Sequence, residues 1–232
     1  MVSNKVLIGV ATGEYARRAD FYDYYHMLIK PENSGLILGH DRSPAHNRNL
    51  IIQAAIDNEF THVLLIDDDM AYKPEALVQL LRHDVDIVSG LYLRGSYPHP
   101  PNVFDLADED GAAFPMYLTP DKQGLVPIVA AGFGFLLVKI EVFKKLEKPY
   151  VRLGELNPEE WCDDIGFFKR VREAGIQSYC DLDVQIGHMR TMIIWPNKDK
   201  NGDWMTGYDT NGTGAINTPQ ITPIPKYEFK EK

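Results

Sequence analysis

Apolar and polar positions alternate in two rhythms along the first ninety residues. "KVLIGVA" (Lys5 to Ala11) is a short unbroken apolar run, the pattern of a buried strand. "RRADFYDYYHMLIK" then predicts a helix rich in aromatics that ends before Pro31. "GLILGH" reads as a second strand. "SPAHNRNLIIQAAIDNE" predicts a helix with Ser43 as its cap and Pro44 in its first turn. Its expected inward face is Leu50, Ile51, Ala54 and Ala55. "HVLLI" is a third strand, "KPEALVQLLRHD" a helix with Pro74 in its first turn, and "VDIVSG" a fourth strand. The order βαβαβαβ predicts an α/β fold whose mostly parallel sheet carries helices on both faces. Ligands of such sheets gather beyond the carboxyl ends of the strands.

The rhythm changes after Tyr92. Proline-rich, acidic text from Tyr92 to Thr119 predicts a hairpin or flap. "LVPIVAAGFGFLLVKIEVFKKL" holds two strand-like runs around Gly132 and Gly134, followed by a short helix. "DDIGFFKRVREAG" predicts a helix that opens on Asp163 and Asp164, buries Ile165, Phe168 and Val171, and stops at Gly175. "IQSYCD" and "VQIGHM" read as two late strands. Residues 1–196 are expected to form a single domain. Residues 197–232, polar and Gly/Asn-rich and then Pro-containing, are expected to form a loop or tail that could pack over the site.

The 232 residues are enough for one domain with a substantial core. No apolar run approaches the ~18 residues of a membrane span. The first residues read as a core strand and not as a signal peptide, so a cytoplasmic protein is expected. A net charge of −9 makes a general polyanion surface a poor expectation, because phosphate backbones are held by Lys and Arg clusters. It suits a protein that grips an anionic ligand through a cation. The two cysteines, Cys162 and Cys180, have no metal spacing and are expected to be reduced thiols.

Three aspartates, Asp67, Asp68 and Asp69, follow the third strand directly. Carboxylates at i and i+2 of an extended end point to one side and can share a hard cation such as Mn2+ or Mg2+. Crowded without a cation, they repel one another. At the later helix start, one of Asp163 and Asp164 suffices as a cap, which leaves the other for general-base work. His188 ends a late strand that could return to the same rim. Arg42, Arg48 and Arg94 are candidate partners for a diphosphate.

Taken in order, "GVATG", "SPAHNRN", "LLIDDDM", "IVSGLYLR", "AAGFGFLLVKIEVF", "WCDDIGFFKRVREAGI" and "IGHM" resemble the GT-A glycosyltransferases. The likeness is to the compact, family 2-like enzymes common in bacteria and their phages, and it spans residues 5–189. It implies a Rossmann-like central sheet with a small antiparallel extension. It also implies a cytoplasmic setting in a bacterium or a phage-infected cell. The implied reaction is metal-dependent transfer from a nucleotide sugar, UDP-linked by preference, with inversion at the anomeric carbon. By this resemblance Asp67 and Asp69 form the DxD motif, which binds Mn2+ or Mg2+, and His188 completes the metal site. Asp164 is the general base, preceded by Asp163 where the family pattern has Glu. Ala11, Thr12 and Gly13 face the nucleotide. Arg48, Asp67 and Asp68 face the donor, and Gly132 and Phe133 lie near donor sugar and acceptor. The acceptor could be a glycan, a protein or a modified nucleobase. The residues alone leave open a non-catalytic nucleotide-sugar or glycan-binding module. A sugar nucleotidylyltransferase would want a Gly-rich loop that "ATGEYARR" lacks. A haloacid-dehalogenase-type phosphatase would want its aspartates after the first strand.

Overall fold

A computed structural model of the protein describes residues 4–12, 19–40, 43–95, 99–107, 113–154, 163–190, 193–209 and 222–223. The first strand, β1 (Val6–Ala11), is apolar on both faces because both are covered. Leu7 joins one core cluster, while Val6, Ile8 and Val10 join another on the opposite face. Helix α1 (Ala19–Met27) leads to β2 (Gly35–Gly39), which pairs with β1 in parallel. Helix α2 (Pro44–Asp57) starts where the sequence places it, with the Ser43 hydroxyl accepting from the His46 amide at 3.2 Å.

The inward face of α2 differs from the expected one. Leu50 is 48% exposed and Ala54 only half-buried, whereas Ala45, Arg48, Ile52 and Ala55, together with Asn47 and Ile51, are buried. The spacing 45, 48, 52, 55 is a true helical stripe. It was hidden because it runs through an arginine, which a hydrophobic count scores as outward.

Strand β3 (His62–Asp67) lies parallel to β1, with Asp67 beside Ala11. The chain then turns at Asp68 and Asp69 into β4 (Met70–Tyr72), a short strand that the apolar pattern did not separate. Helix α3 (Ala76–Arg82) and strand β5 (Ile87–Leu91) complete the predicted alternation. Pro74 stands in a turn just ahead of α3.

Within the 92–119 segment, β6 (Val103–Ala107) and β7 (Ala113–Pro115) pair antiparallel. Next come β8 (Leu125–Ile128), β9 (Ala130–Ala131), β10 (Phe135–Lys139) and the one-turn helix α4 (Ile140–Phe143). Helix α5 (Asp164–Glu173) ends at Gly175, whose φ of 71° suits a residue without a Cβ. The two late strands are one, β11 (Ser178–Met189), with a register shift between Asp181 and Gln185. Strands β12 (Ile193–Lys198), β13 (Trp204–Asp209) and β14 (Thr222–Pro223) extend it antiparallel. The segment after Asn197, polar to the eye, therefore supplies sheet. Trp204 and Thr206 are buried there, and Trp204 donates to the Thr119 carbonyl at 3.2 Å.

The main sheet runs β14-β13-β12-β11-β5-β10-β3-β1-β2, and a second sheet of three strands runs β7-β6-β9. Strands β2, β1, β3, β5 and the first part of β11 share one direction, while β10 is inserted antiparallel between β3 and β5. Helices α2 and α5 supply the core on one face, α1 and α3 on the other. The fold is thus mixed α/β, with a large mostly parallel sheet flanked by helices and a small antiparallel sheet beside it.

Close packing at one glycine makes a stability prediction. A Cβ built on Gly9 would fall inside the Ile51 side chain of α2. Gly9→Ala is expected to destabilise the protein by about 1–3 kcal/mol, the usual cost of overpacking. Urea unfolding of the two proteins measures it.

Candidate functional site

An antiparallel strand among parallel ones determines what reaches the rim. The carboxyl ends of β1, β3 and β5 deliver Ala11, Asp67 and Leu91 there. Running the other way, β10 delivers its start, so Gly132, Phe133 and Gly134 arrive at the same edge. The Asp67 amide donates to the Gly134 carbonyl at 3.2 Å. Thr12 is buried beside them. Its amide donates to the Gly39 carbonyl at 2.7 Å, and its carbonyl accepts from Asn47 Nδ2 at 3.4 Å.

The bulge in β11 brings in the histidine. Before the shift, β11 follows β5 in parallel; after it, β11 pairs antiparallel with β4 and sets His188 opposite Met70. The Met189 amide donates to the Asp69 carbonyl at 2.7 Å. As a result His188 Nε2 lies 3.2 Å from Asp69 Oδ2. His188 Nδ1 lies 2.8 Å from the Leu93 carbonyl, which can only accept, so Nδ1 carries the hydrogen of that bond. A neutral His188 then turns a lone pair toward a carboxylate oxygen. Two acceptors at that distance repel unless a proton or a metal ion lies between them. The Arg190 guanidinium, 3.5 Å from the same oxygen, relieves part of the charge.

The second constellation centres on Arg48. Its Nη2 donates to Asp67 Oδ1 at 2.6 Å and its Nη1 to Asp163 Oδ2 at 2.5 Å. Arg48 is 6% exposed, and the face of Phe133 lies against its guanidinium, 4.6 Å from carbon Cζ to the ring centre. Burial opposes the charge, but the two carboxylates outweigh it and hold Arg48 above its ordinary pKa. Two carboxylates share one guanidinium, so one negative charge is uncompensated. Burial accordingly pushes the Asp163 carboxyl up, against the pull of Arg48. Asp163 makes no side-chain cap bond to α5. Its neighbour Asp164 accepts from the Ile165 amide at 2.9 Å.

Tyr92, just past the end of β5, was not foreseen as part of the site. Its hydroxyl oxygen accepts from Asn102 Nδ2 at 2.6 Å and from the Gly134 amide at 3.1 Å. Its ring meets the His188 imidazole edge-on at 5.9 Å. Burial first, and then the negative charge of Asp67, holds the phenol far above its ordinary pKa, so it stays protonated. A Cβ on Gly132 would collide with both Asn102 and the Tyr92 hydroxyl, which is why that position lacks one. The usable signal was position: a residue directly after a parallel strand stands on the ligand-bearing rim.

The structure therefore brings Asp69 to His188, and Asp67 through Arg48 to Asp163. Asp68 sits half-buried in the turn between β3 and β4. Gly13, Arg42 and Cys162 lie outside the described residues. Arg94 is exposed at the hairpin, donating to Asn102 Oδ1 at 3.2 Å. Cys180 is a free, buried thiol, pushed up to about 12 by that burial and so unreactive. Among the described residues no three His, Cys, Asp or Glu side chains stand close enough together to hold a metal ion. Asp67 is turned to Arg48, which leaves Asp69 and His188 as the adjacent pair. Their chemistry fits Mn2+: one carboxylate oxygen, one imidazole whose far nitrogen is fixed by a carbonyl, and an acceptor pair that a cation would satisfy.

Comparison with known proteins gives the fold a context. No family model matches the chain, and no curated protein sequence matches it. Among solved structures, A197 from STIV aligns over 98% of both chains at TM-score 0.60 and 12% identity. GalNAc-T7, solved with UDP, GalNAc and Mn2+, aligns over 82% of this chain and 44% of its own at TM-score 0.52 and 11% identity. The catalytic domain of Drosophila beta1,4galactosyltransferase 7, in complex with xylobiose, covers 78% of this chain and 66% of its own at TM-score 0.47 and 15% identity. The protein has a GT-A-like, glycosyltransferase-like fold. No helix among the described residues is long and apolar enough to cross a membrane.

Proposed function

We propose that the protein is a metal-dependent glycosyltransferase that moves a sugar from a nucleotide sugar, UDP-linked by preference, to an acceptor hydroxyl with inversion. One observation carries the reading: β4 and β11 pair so that Asp69 faces His188 across 3.2 Å at the carboxyl rim of the sheet. A carboxylate oxygen and an imidazole nitrogen facing one another at that rim are a donor set that a divalent cation takes. The GT-A-like fold supports the same reading.

Asp69 and His188 would hold Mn2+ or Mg2+, while the Asp67 carboxylate stays on Arg48. A bound metal supplies positive charge to the leaving nucleoside diphosphate, where negative charge develops. Leu93 fixes the ring of His188 so that Nε2 stays aimed at the site. Ala11 and Thr12 close the nucleotide side, and Gly132 lets the chain pass close to the donor sugar. Asp164 takes the proton of the attacking acceptor hydroxyl. Attack from the face opposite the leaving group gives inversion. The acceptor is a glycan, a protein side chain or a hydroxylated nucleobase.

Thermal-shift measurements with nucleoside diphosphates, each with and without Mn2+, test the donor half of this reading. A ligand of the folded state raises the melting temperature by mass action. UDP with Mn2+ is expected to raise it, and UDP with a chelator is not. No shift from any diphosphate would end the proposal.

A further inference from the structure

We propose that Arg48 is the positioning residue of this site. It captures one carboxylate from the strand end and one from the helix start, and so fixes Asp69 and Asp164 relative to each other. The proposal rests on the transferase reading and adds a residue role to it.

The geometry is that of a fork. Nη1 and Nη2 are held at a fixed separation by the planar guanidinium, and each takes a carboxylate from a different element, Asp163 beside α5 and Asp67 on β3. The plane itself is braced. Phe133 covers one face, and the Phe133 ring packs in turn on Phe167 of α5 at 5.4 Å between ring centres. From behind, α2 is anchored by its Ser43 cap and by Ile51, Ile52 and Ala55 in the core. Among the described residues no other cation pairs with Asp67 or Asp163.

The consequence is a division of roles within each acidic run. The member bonded to Arg48 is partly buried and oriented, and its neighbour one or two residues on is placed by it. Asp67 is two residues before Asp69, across the β3–β4 turn. Asp163 immediately precedes Asp164, the first residue of α5. Movement of either carboxylate would therefore carry a reacting group with it. A lysine could not substitute, because a single ammonium has no rigid fork with which to hold two carboxylates apart.

The test uses Arg48→Met and Arg48→Lys in the full chain, with donor KM and kcat measured per folded molecule. Arg48→Met is expected to lower kcat by about 100-fold or more, the scale of a misplacement near 1 Å. Arg48→Lys is expected to recover only part of that loss. Two mutant cycles separate the arms of the fork. Arg48→Met with Asp67→Asn should be non-additive in donor KM, and Arg48→Met with Asp163→Asn non-additive in kcat. A role in stability alone would reduce the folded fraction and leave both constants unmoved. Folded Arg48→Met with kcat and KM within about threefold of the parent would overturn the proposal. If the parent protein neither transfers nor hydrolyses any donor sugar, the transferase reading fails, and urea midpoints then judge the bridge. An Arg48→Met midpoint below that of Arg48→Met/Asp67→Asn/Asp163→Asn supports capture of both partly buried carboxylates, and an equal or higher midpoint refutes it.

Discussion

Asp69→Ala is expected to remove metal-dependent transfer, with kcat/KM in saturating Mn2+ falling by about 1,000-fold or more, the scale of losing a group that stabilises charge in the transition state. The same substitution is expected to leave the melting temperature close to that of the parent. That pairing of outcomes follows from the contacts. The backbone carbonyl of Asp69 accepts from Met189, and alanine keeps that bond. The carboxylate faces His188 Nε2 across 3.2 Å, and alanine there leaves the imidazole its bond to the Leu93 carbonyl. The contact with Arg190 is long, and the Arg190 side chain is 46% exposed, so its loss costs little. A residue whose removal abolishes activity without destabilising the fold is there for the reaction. Transfer assays with Mn2+, run beside thermal melts, decide it. Undiminished metal-dependent transfer by Asp69→Ala would remove Asp69 from the site.

Much of the frame was legible because it is written in local pattern. The short apolar runs at 6–11 and 63–66 fit strands covered on both faces, and Ser43-Pro44 marks a helix start by capping chemistry alone. Two features were not legible, for a shared reason. The antiparallel insertion of β10 between β3 and β5 is a matter of long-range pairing, and nothing in "FLLVK" states its direction. The continuity of β11 across its register shift is likewise tertiary: Asp181 and Asp183 interrupt the apolar text, and pairing to β5 and then to β4 carries the strand through.

The same division holds at the site. That Asp67 to Asp69, Asp163 and Asp164, and His188 carry chemistry could be argued from residue types and their positions beside predicted elements. Which carboxylate does what could not. Arg48 was expected to face a diphosphate, and its burial among the α2 core residues was not legible, because its stripe includes Asn47 as a neighbour and is read as polar. Only the fold shows that this stripe is buried and that Asp67 and Asp163 meet its guanidinium. Tyr92 was invisible for a related reason: an aromatic residue after a strand is far more often core than site, and its hydrogen bonds come from Asn102 and Gly134, both distant in sequence.

The pairing of Asp163 with Arg48 also bears on where the second large effect is expected. A base must offer its carboxylate to an incoming hydroxyl, and Asp163 has committed an oxygen to a buried guanidinium at 2.5 Å. Asp164 lies outside that bridge, on the first turn of α5. Asp164→Asn is therefore expected to lower kcat by about 100- to 10,000-fold, the range for loss of a positioned general base. The substitution is gentle on the fold, since the asparagine oxygen can still accept from the Ile165 amide as Asp164 does now. Donor KM and the UDP–Mn2+ thermal shift should accordingly stay close to those of the parent, because neither the proposed metal pair nor the proposed nucleotide rim is touched. Rates and anomeric configuration of the product, read together by NMR, provide the check. A slow reaction that still inverts is the expected result. Near-parental turnover in Asp164→Asn, or retention of configuration in the parent protein, would show that the acid at the start of α5 is a helix-end charge and that the proton leaves by another route.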